Sequence, residues 1–118
     1  MIVPYKHTPE LSGLDSETRL DLMNTIDIAM EAIKKVMRPD GLNLGVNFGR
    51  SAGAGITEHI HFHLVPRWTG DTNFMPVIGC TKVISESLEN AYAKLKKAVE
   101  IIIKKSKYNK KKPEDRIQ

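Results

Sequence analysis

The sequence predicts an α+β fold: an antiparallel sheet with one helix between its first two strands and a second helix toward the C-terminus. Three observations carry that expectation. Apolar residues recur every three or four positions over 15–37 and again from about residue 85 to about residue 105, as amphipathic helices require. Between those stretches, 42–48 and 59–64 alternate in strict period two, the mark of half-buried strands. A glycine-rich loop joins the two alternating runs, and a short loop most simply connects an antiparallel pair. The 118 residues fit one domain with one core, expected over 1–105. Residues 106–118 are expected to be a basic, disordered tail.

The elements follow in chain order. Ile2-Val3-Pro4-Tyr5 reads as the end of a strand, with Pro4 marking an edge or terminus because it cannot donate to a ladder. Asp15 is a helix cap, and Glu17 suits the positive end of the helix dipole. Leu20, Met23, Ile26, Met30, Ile33 and Met37 form the expected buried stripe. Leu22, Ile28 and Val36 stand beside it as apolar surplus, more than a small sheet can cover. Pro39-Asp40-Gly41 ends the helix and turns the chain. In the first alternating run Leu42, Leu44, Val46 and Phe48 share one face, and Asn43, Gly45 and Asn47 share the other. Gly49 to Gly55 is a loop. In the second run His59, His61 and His63 face one way, and Ile60, Phe62 and Leu64 the other. Pro66 to Pro76 reads as irregular, with Asp71, Thr72 and Asn73 as turn residues. The last helix offers Leu88, Ala91, Tyr92, Leu95, Val99 and Ile102 on one face.

Charge and cysteine content narrow the function. Of 18 basic residues, six are Lys104, Lys105, Lys107, Lys110, Lys111 and Lys112; the rest of the chain carries 12 against 14 acidic side chains. The net charge of +4 is thus a property of the tail. That run reads as a solvated tail, because no aromatic-rich binding face accompanies it, and nucleic acid is not the expected partner. A single cysteine, Cys80, rules out an internal disulfide or a Cys-rich zinc site and reads as a small packed side chain. No apolar run of about 20 residues could span a bilayer, and the first residues lack the order of a signal peptide. The expected compartment is the cytoplasm, with no membrane partner.

Three of the four histidines fall within five residues and, by strand geometry, on one face at roughly 6.5–7 Å intervals. Buried together, they would oppose one another's protonation. Two chemistries use such a row. One is a transition-metal site, which wants a further ligand; Glu58 lies on the wrong face and Asp71 is the nearest other carboxylate. The other is nucleophilic catalysis, in which one imidazole attacks while the others orient it or protonate a leaving oxygen. The second predicts an anion-binding loop beside the strand. Gly49, Gly53 and Gly55 permit close backbone approach, so amides there can converge on a phosphate. The adjoining loop favours the nucleophile. Arg50 within it is a further phosphate candidate, whereas Arg67 and Trp68, after the strand, read as solvated and packed respectively.

The run His59-Ile60-His61-Phe62-His63-Leu64-Val65 resembles the signature of the histidine-triad (HIT) family, and the resemblance extends over roughly residues 2 to 100. Gly70-Asp71-Thr72-Asn73-Phe74-Met75-Pro76-Val77, after Val65-Pro66-Arg67-Trp68, is similar to a branch that includes bacterial diadenosine tetraphosphate phosphorylases. The resemblance implies a HIT-like fold and an enzyme acting on a nucleotide or dinucleoside polyphosphate. It would cleave at the α-phosphate through a nucleotidyl-histidine, as hydrolase or phosphorylase. His61 would be the nucleophile, His59 would orient it and His63 would contact the phosphates. His7 would support the triad, Asn47 would contact substrate, and Ala54, Gly55, Ile56 and Thr57 would offer backbone groups to the α-phosphate. One departure stands out: many members carry Gly-Gln before Ser or Thr where this chain has Gly55-Ile56-Thr57, so the glutamine contact is missing.

No cofactor and no protein-held metal are implied, and magnesium would arrive only on the polyphosphate. A nucleotide-binding regulatory module with little turnover and a His-ligated metal enzyme are the alternatives. The family commonly dimerises through the first helix region, which agrees with the apolar surplus there, so a homodimer is expected. Family members also carry several tens of residues ahead of the position of Ile2. The expectation is therefore a longer natural chain, or cover of the first strand by a partner subunit, with poor base and ribose discrimination by these 118 residues.

Overall fold

The computed structural model describes residues 1–55, 57–71 and 86–110, the last three in backbone only. The order is a 3-10 turn (Leu11–Gly13), helix α1 (Ser16–Met37), strand β1 (Gly41–Val46), a 3-10 turn (Arg50–Ala52), strand β2 (Phe62–Arg67) and helix α2 (Leu88–Lys110). The α+β class and the helix preceding the antiparallel pair are as the sequence predicts.

Helix α1 starts where the sequence places it. The Asp15 carboxylate accepts the Thr18 N–H at 2.7 Å, satisfying one of the orphan donors of the first turn. The helix stops at Arg38, which adopts a left-handed conformation (φ 49°, ψ 54°) and donates its N–H to the Lys34 carbonyl at 3.2 Å. Pro39 enforces the stop, since the residue before a proline is steered away from the right-handed helical region.

Its buried row differs from the expected stripe. Leu22, Ile26 and Ala32 are buried, with Ala29 and Met30 packed alongside the core, while Leu20 and Met23 are 64% and 50% exposed. Leu22, expected as surplus for a partner, belongs to the core. Apolar residues occupy more than one row of this helix, so spacing fixes the period and the neighbouring elements choose the phase. Those neighbours are α2 and β2, the elements in closest contact with α1.

Strands β1 and β2 pair antiparallel, with Gly41 opposite Arg67, Leu44 opposite Leu64, Gly45 opposite His63 and Val46 opposite Phe62. One face of the pair meets the core, formed by Ile2, Leu14, Leu22, Ile26, Ile60 and Phe62, with Val46 and Leu64 at its edge. The cover is incomplete: Leu44, in mid-strand, remains 47% exposed, and Phe48, beyond the strand, is 43% exposed. Strand β2 runs on through Pro66 to Arg67, so the irregular stretch begins later than expected. The expected strand at 2–5 reduces to one bridge, in which Ile2 and Phe62 exchange both hydrogen bonds at 2.9 Å.

Helix α2 continues to Lys110, beyond the expected end near residue 105. No glycine or proline interrupts the chain before Pro113, and lysine, serine, tyrosine and asparagine are all tolerated in a helix. Residues 106–110 are therefore helical rather than part of a disordered tail. Ile102 is buried and Leu95 and Val99 are half-buried, but Leu88 and Tyr92 of the expected face are exposed. The expectations for Cys80, Thr72 and Asn73, and for the tail beyond Lys110, lie outside the described residues. Among the described residues, no helix is long and apolar enough to cross a membrane.

Candidate active site

The histidine row leads into β2, with His63 on the face of the strand turned away from the core. Alternation drives this arrangement: Ile60 (3% exposed) and Phe62 (6%) point into the core, so His59, His61 and His63 emerge on the other side, each half-buried. Only His63 lies within the ladder, facing Gly45 across the pair. His59 and His61 precede it and are held by the N-terminal segment, where the Ile60 N–H donates to the Thr8 carbonyl at 2.8 Å.

Two rings are fixed by backbone oxygens. The His59 Nε2 lies 2.7 Å from the Pro4 carbonyl, and the His61 Nδ1 lies 3.0 Å from the His59 carbonyl. A carbonyl oxygen only accepts, so the ring nitrogen facing it carries the proton. His61 is thereby held as the Nδ1–H tautomer, with the lone pair on Nε2. The His7 ring stacks on His59 at 4.2 Å between centroids, tilted by 36°. The His63 ring meets His61 edge-on at 5.0 Å. All four histidines thus form two touching pairs along one strip.

The loop ahead of the row is compact. Gly49 and Gly53 have φ of +77° and +92°, a region L side chains rarely enter. The Gly49 carbonyl accepts the N–H groups of Ala52 at 3.3 Å and Ala54 at 3.1 Å. Asn47, one step beyond β1, donates from Nδ2 to the Gly53 carbonyl at 3.4 Å. Ala54 is buried with its N–H committed inside the loop, while Gly55 and Thr57 are exposed. Ile56 lies outside the described residues.

Arg67 serves a different end of the molecule. Six residues from His61 along an extended strand is about 20 Å. There Arg67 donates through Nη2 to Asp71 at 2.8 Å, and through Nη1 to Asn43 at 3.1 Å. The Arg67 guanidinium, helped by the Trp68 N–H, lowers the Asp71 carboxyl to a pKa of about 2. Thr69 N–H donates to Asp40 at 2.7 Å and Trp68 Nε1 to the Arg38 carbonyl at 3.3 Å, so these residues clasp the α1–β1 turn. Arg50 is exposed in the glycine loop.

Sequence reasoning grouped His59, His61 and His63 but missed what holds them. The carbonyls of Pro4 and Thr8 are main-chain atoms without a residue signature. The one available signal was the coincidence of Pro4 and Thr8 with His7 in a short polar segment. Among the described residues, no three His, Cys, Asp or Glu side chains form a metal-binding group. The His59 and His61 nitrogens nearest the backbone are engaged there, which leaves His59 Nδ1 and His61 Nε2 as the remaining ring nitrogens.

The family model described as "HIT domain" matches residues 1–70. An AP-4-A phosphorylase of Mycobacterium tuberculosis is 46% identical over 90 residues, covering 76% of this chain and 46% of that protein. The chain spans about half the length of the curated relatives it matches first. A hypothetical histidine triad nucleotide-binding protein from Sulfolobus tokodaii superposes with a TM-score of 0.63 at 28% identity, over 85% of this chain and 68% of that one. A zinc-bound histidine triad family protein from Mycobacterium smegmatis reaches 0.65 at 24% identity, over 86% and 68%, a likeness of fold alone.

Proposed function

The chain belongs to the HIT domain family, and on that premise we propose that it cleaves a (di)nucleoside polyphosphate at the α-phosphate through a nucleotidyl-His61 intermediate. The observation that carries this reading is the 3.0 Å contact from His61 Nδ1 to the His59 carbonyl. It commits the Nδ1 proton to a backbone oxygen and leaves the lone pair for attack on Nε2.

In the first step Nε2 forms a bond to Pα while the bridging Pα–O bond breaks, and its electron pair leaves with the remaining polyphosphate. His63, edge-on to His61 at 5.0 Å, would hydrogen-bond the phosphoryl oxygens. The loop would add fixed donors where charge develops, from Gly55, Ile56 and Thr57, with Ala54 supporting them from inside; preorganised donors of this kind supply much of such catalysis. Asn47 would contact the substrate from the same loop, and His7 would steady His59 by stacking. In the second step an acceptor oxygen attacks Pα and the N–P bond breaks. Water as acceptor releases a nucleoside monophosphate; inorganic phosphate releases a diphosphate. The likeness to an AP-4-A phosphorylase favours inorganic phosphate and a dinucleoside tetraphosphate. The protein needs no metal of its own in this scheme, acts in the cytoplasm, and works as a homodimer.

The test is to quench a reaction with diadenosine tetraphosphate and identify the modified peptide by mass spectrometry. An adenylyl group on the peptide containing His61 is expected, absent in His61→Ala. Turnover without that adduct, or a His61→Ala variant retaining a tenth of the wild-type rate, would overturn the assignment.

A further inference from the structure

The peptide unit joining His59 to Ile60 is held at both of its polar ends. Its carbonyl accepts the His61 Nδ1–H at 3.0 Å, and its N–H donates to the Thr8 carbonyl at 2.8 Å. Hydrogen bonds in such a chain polarise one another: an acceptor on the N–H side raises the negative charge on the carbonyl oxygen and strengthens its hold on the ring. We propose that Thr8 is a positioning residue for His61, acting through this peptide, and that Gly13 keeps the Thr8 carbonyl in place. The proposal rests on the reading of His61 as the nucleophile.

Thr8 is fixed from its own side chain. It is 6% exposed, and its hydroxyl donates to the Glu10 carbonyl at 3.1 Å and accepts the Glu10 N–H at 3.4 Å. Such local bonds set the backbone of the residue that makes them. Gly13 closes the same turn by donating its N–H to the Glu10 carbonyl at 3.2 Å. A Cβ at position 13 would stand 2.1 Å from the Thr8 Oγ1 and 2.9 Å from the Thr8 Cβ, well inside van der Waals contact. Only glycine leaves Thr8 where it is. The turn is anchored to the core by the next residue, Leu14, 3% exposed.

If Thr8 moves, the His59–Ile60 peptide loses its partner on one side and is free to rotate. His61 then loses the acceptor that selects its tautomer, and the proton can settle on Nε2, where the reaction needs a lone pair. In this reading the polyphosphate is held by His63 and the glycine loop, whereas the hydrogen bonds of Thr8 go to Glu10 and Ile60. The defect therefore falls on the chemical step.

The test uses the full chain, uniformly labelled with nitrogen-15. Two-bond proton–nitrogen correlation spectra report the His61 tautomer without substrate, and turnover of diadenosine tetraphosphate gives kcat and KM. The wild type is expected to show the Nδ1–H form. Gly13→Ala is expected to show mixed tautomers and a kcat lower by about ten- to a hundredfold, the scale of a misplaced reacting group. Its KM should stay within about threefold, because ground-state binding is not removed. Thr8→Ala, which adds no bulk, should move both readouts in the same direction by less, and Thr8→Ser, which keeps the hydroxyl, should resemble the wild type. The double variant should recover part of the Gly13→Ala loss, as touching residues couple. Should Gly13→Ala not fold, the Thr8→Ala and Thr8→Ser pair carries the decision. An unchanged His61 tautomer in folded Thr8→Ala, or equal losses in Thr8→Ala and Thr8→Ser, overturns the proposal. A wild type that shows the tautomer pattern but no turnover supports the positioning role and defeats the functional reading instead.

Discussion

Replacing Ile60 by alanine should remove much of the support beneath the histidine row. Ile60 is 3% exposed and packs with Ile2, Leu14, Leu22, Ile26 and Phe62. The substitution deletes three carbon atoms, a transfer loss of about 2.4 kcal/mol at about 0.8 kcal/mol each. A rigid surround would leave a cavity of roughly 80 Å³, adding about 2 kcal/mol at about 24 cal/mol per Å³. The surround is not rigid, since Val46, Leu64, Ala29 and Met30 are only partly buried and can move inward. An intermediate loss of about 3 kcal/mol is expected, a large share of the ordinary stability of such a domain. Ile60→Val deletes one carbon and should cost about 1 kcal/mol. Urea titration followed by circular dichroism measures both, with an unchanged slope and a lower midpoint; the thermal midpoint should fall by roughly 10–15 °C for alanine. The side chain points away from the site and the backbone bond to Thr8 is retained, so turnover per folded molecule should change little. An alanine variant losing less than about 1 kcal/mol, or no worse than valine, would show that Ile60 does not underlie the row.

Other perturbations test the remaining parts. Arg67 lowers the Asp71 carboxyl to about 2, so this group's contribution to stability is present above its unfolded value near 4 and is lost as pH falls toward 2; Asp71→Asn should flatten the thermal midpoint across that acidic window, and an identical slope would refute the pairing. Gly53→Ala places a side chain at φ +92°, 3.4 Å from Asn47 Nδ2; it should cost about 1 kcal/mol and raise KM, and wild-type KM would detach the loop from the substrate. Chelators should leave turnover intact, because the proposed scheme uses the His61 Nε2 lone pair for attack at Pα and not for a metal; inactivation reversed only by zinc, iron or copper would favour a metal enzyme. Sedimentation at micromolar concentration should give a dimer through the face of α1 that exposes Leu20 and Met23, and a monomer would refute it.

The sequence by itself determined the elements, the start of α1 at Asp15, the pairing of the two alternating runs and the common face of His59, His61 and His63. These follow from local rules: side-chain direction repeats every two residues in a strand and every 3.6 in a helix, and a capping carboxylate acts within its own turn. It also carried the signature of the histidine-triad family. Tertiary structure alone decided which row of α1 is buried, because Leu20, Leu22 and Met23 are equally apolar and only the positions of β2 and α2 distinguish them. It also placed Arg67 in a clasp with Asp71 and Asn43, far from the histidines. Above all it brought the Pro4 and Thr8 carbonyls, more than fifty residues away along the chain, to His59 and Ile60. Every residue carries a carbonyl, so no sequence pattern can announce which of them will meet a histidine; only the path of the folded chain selects it.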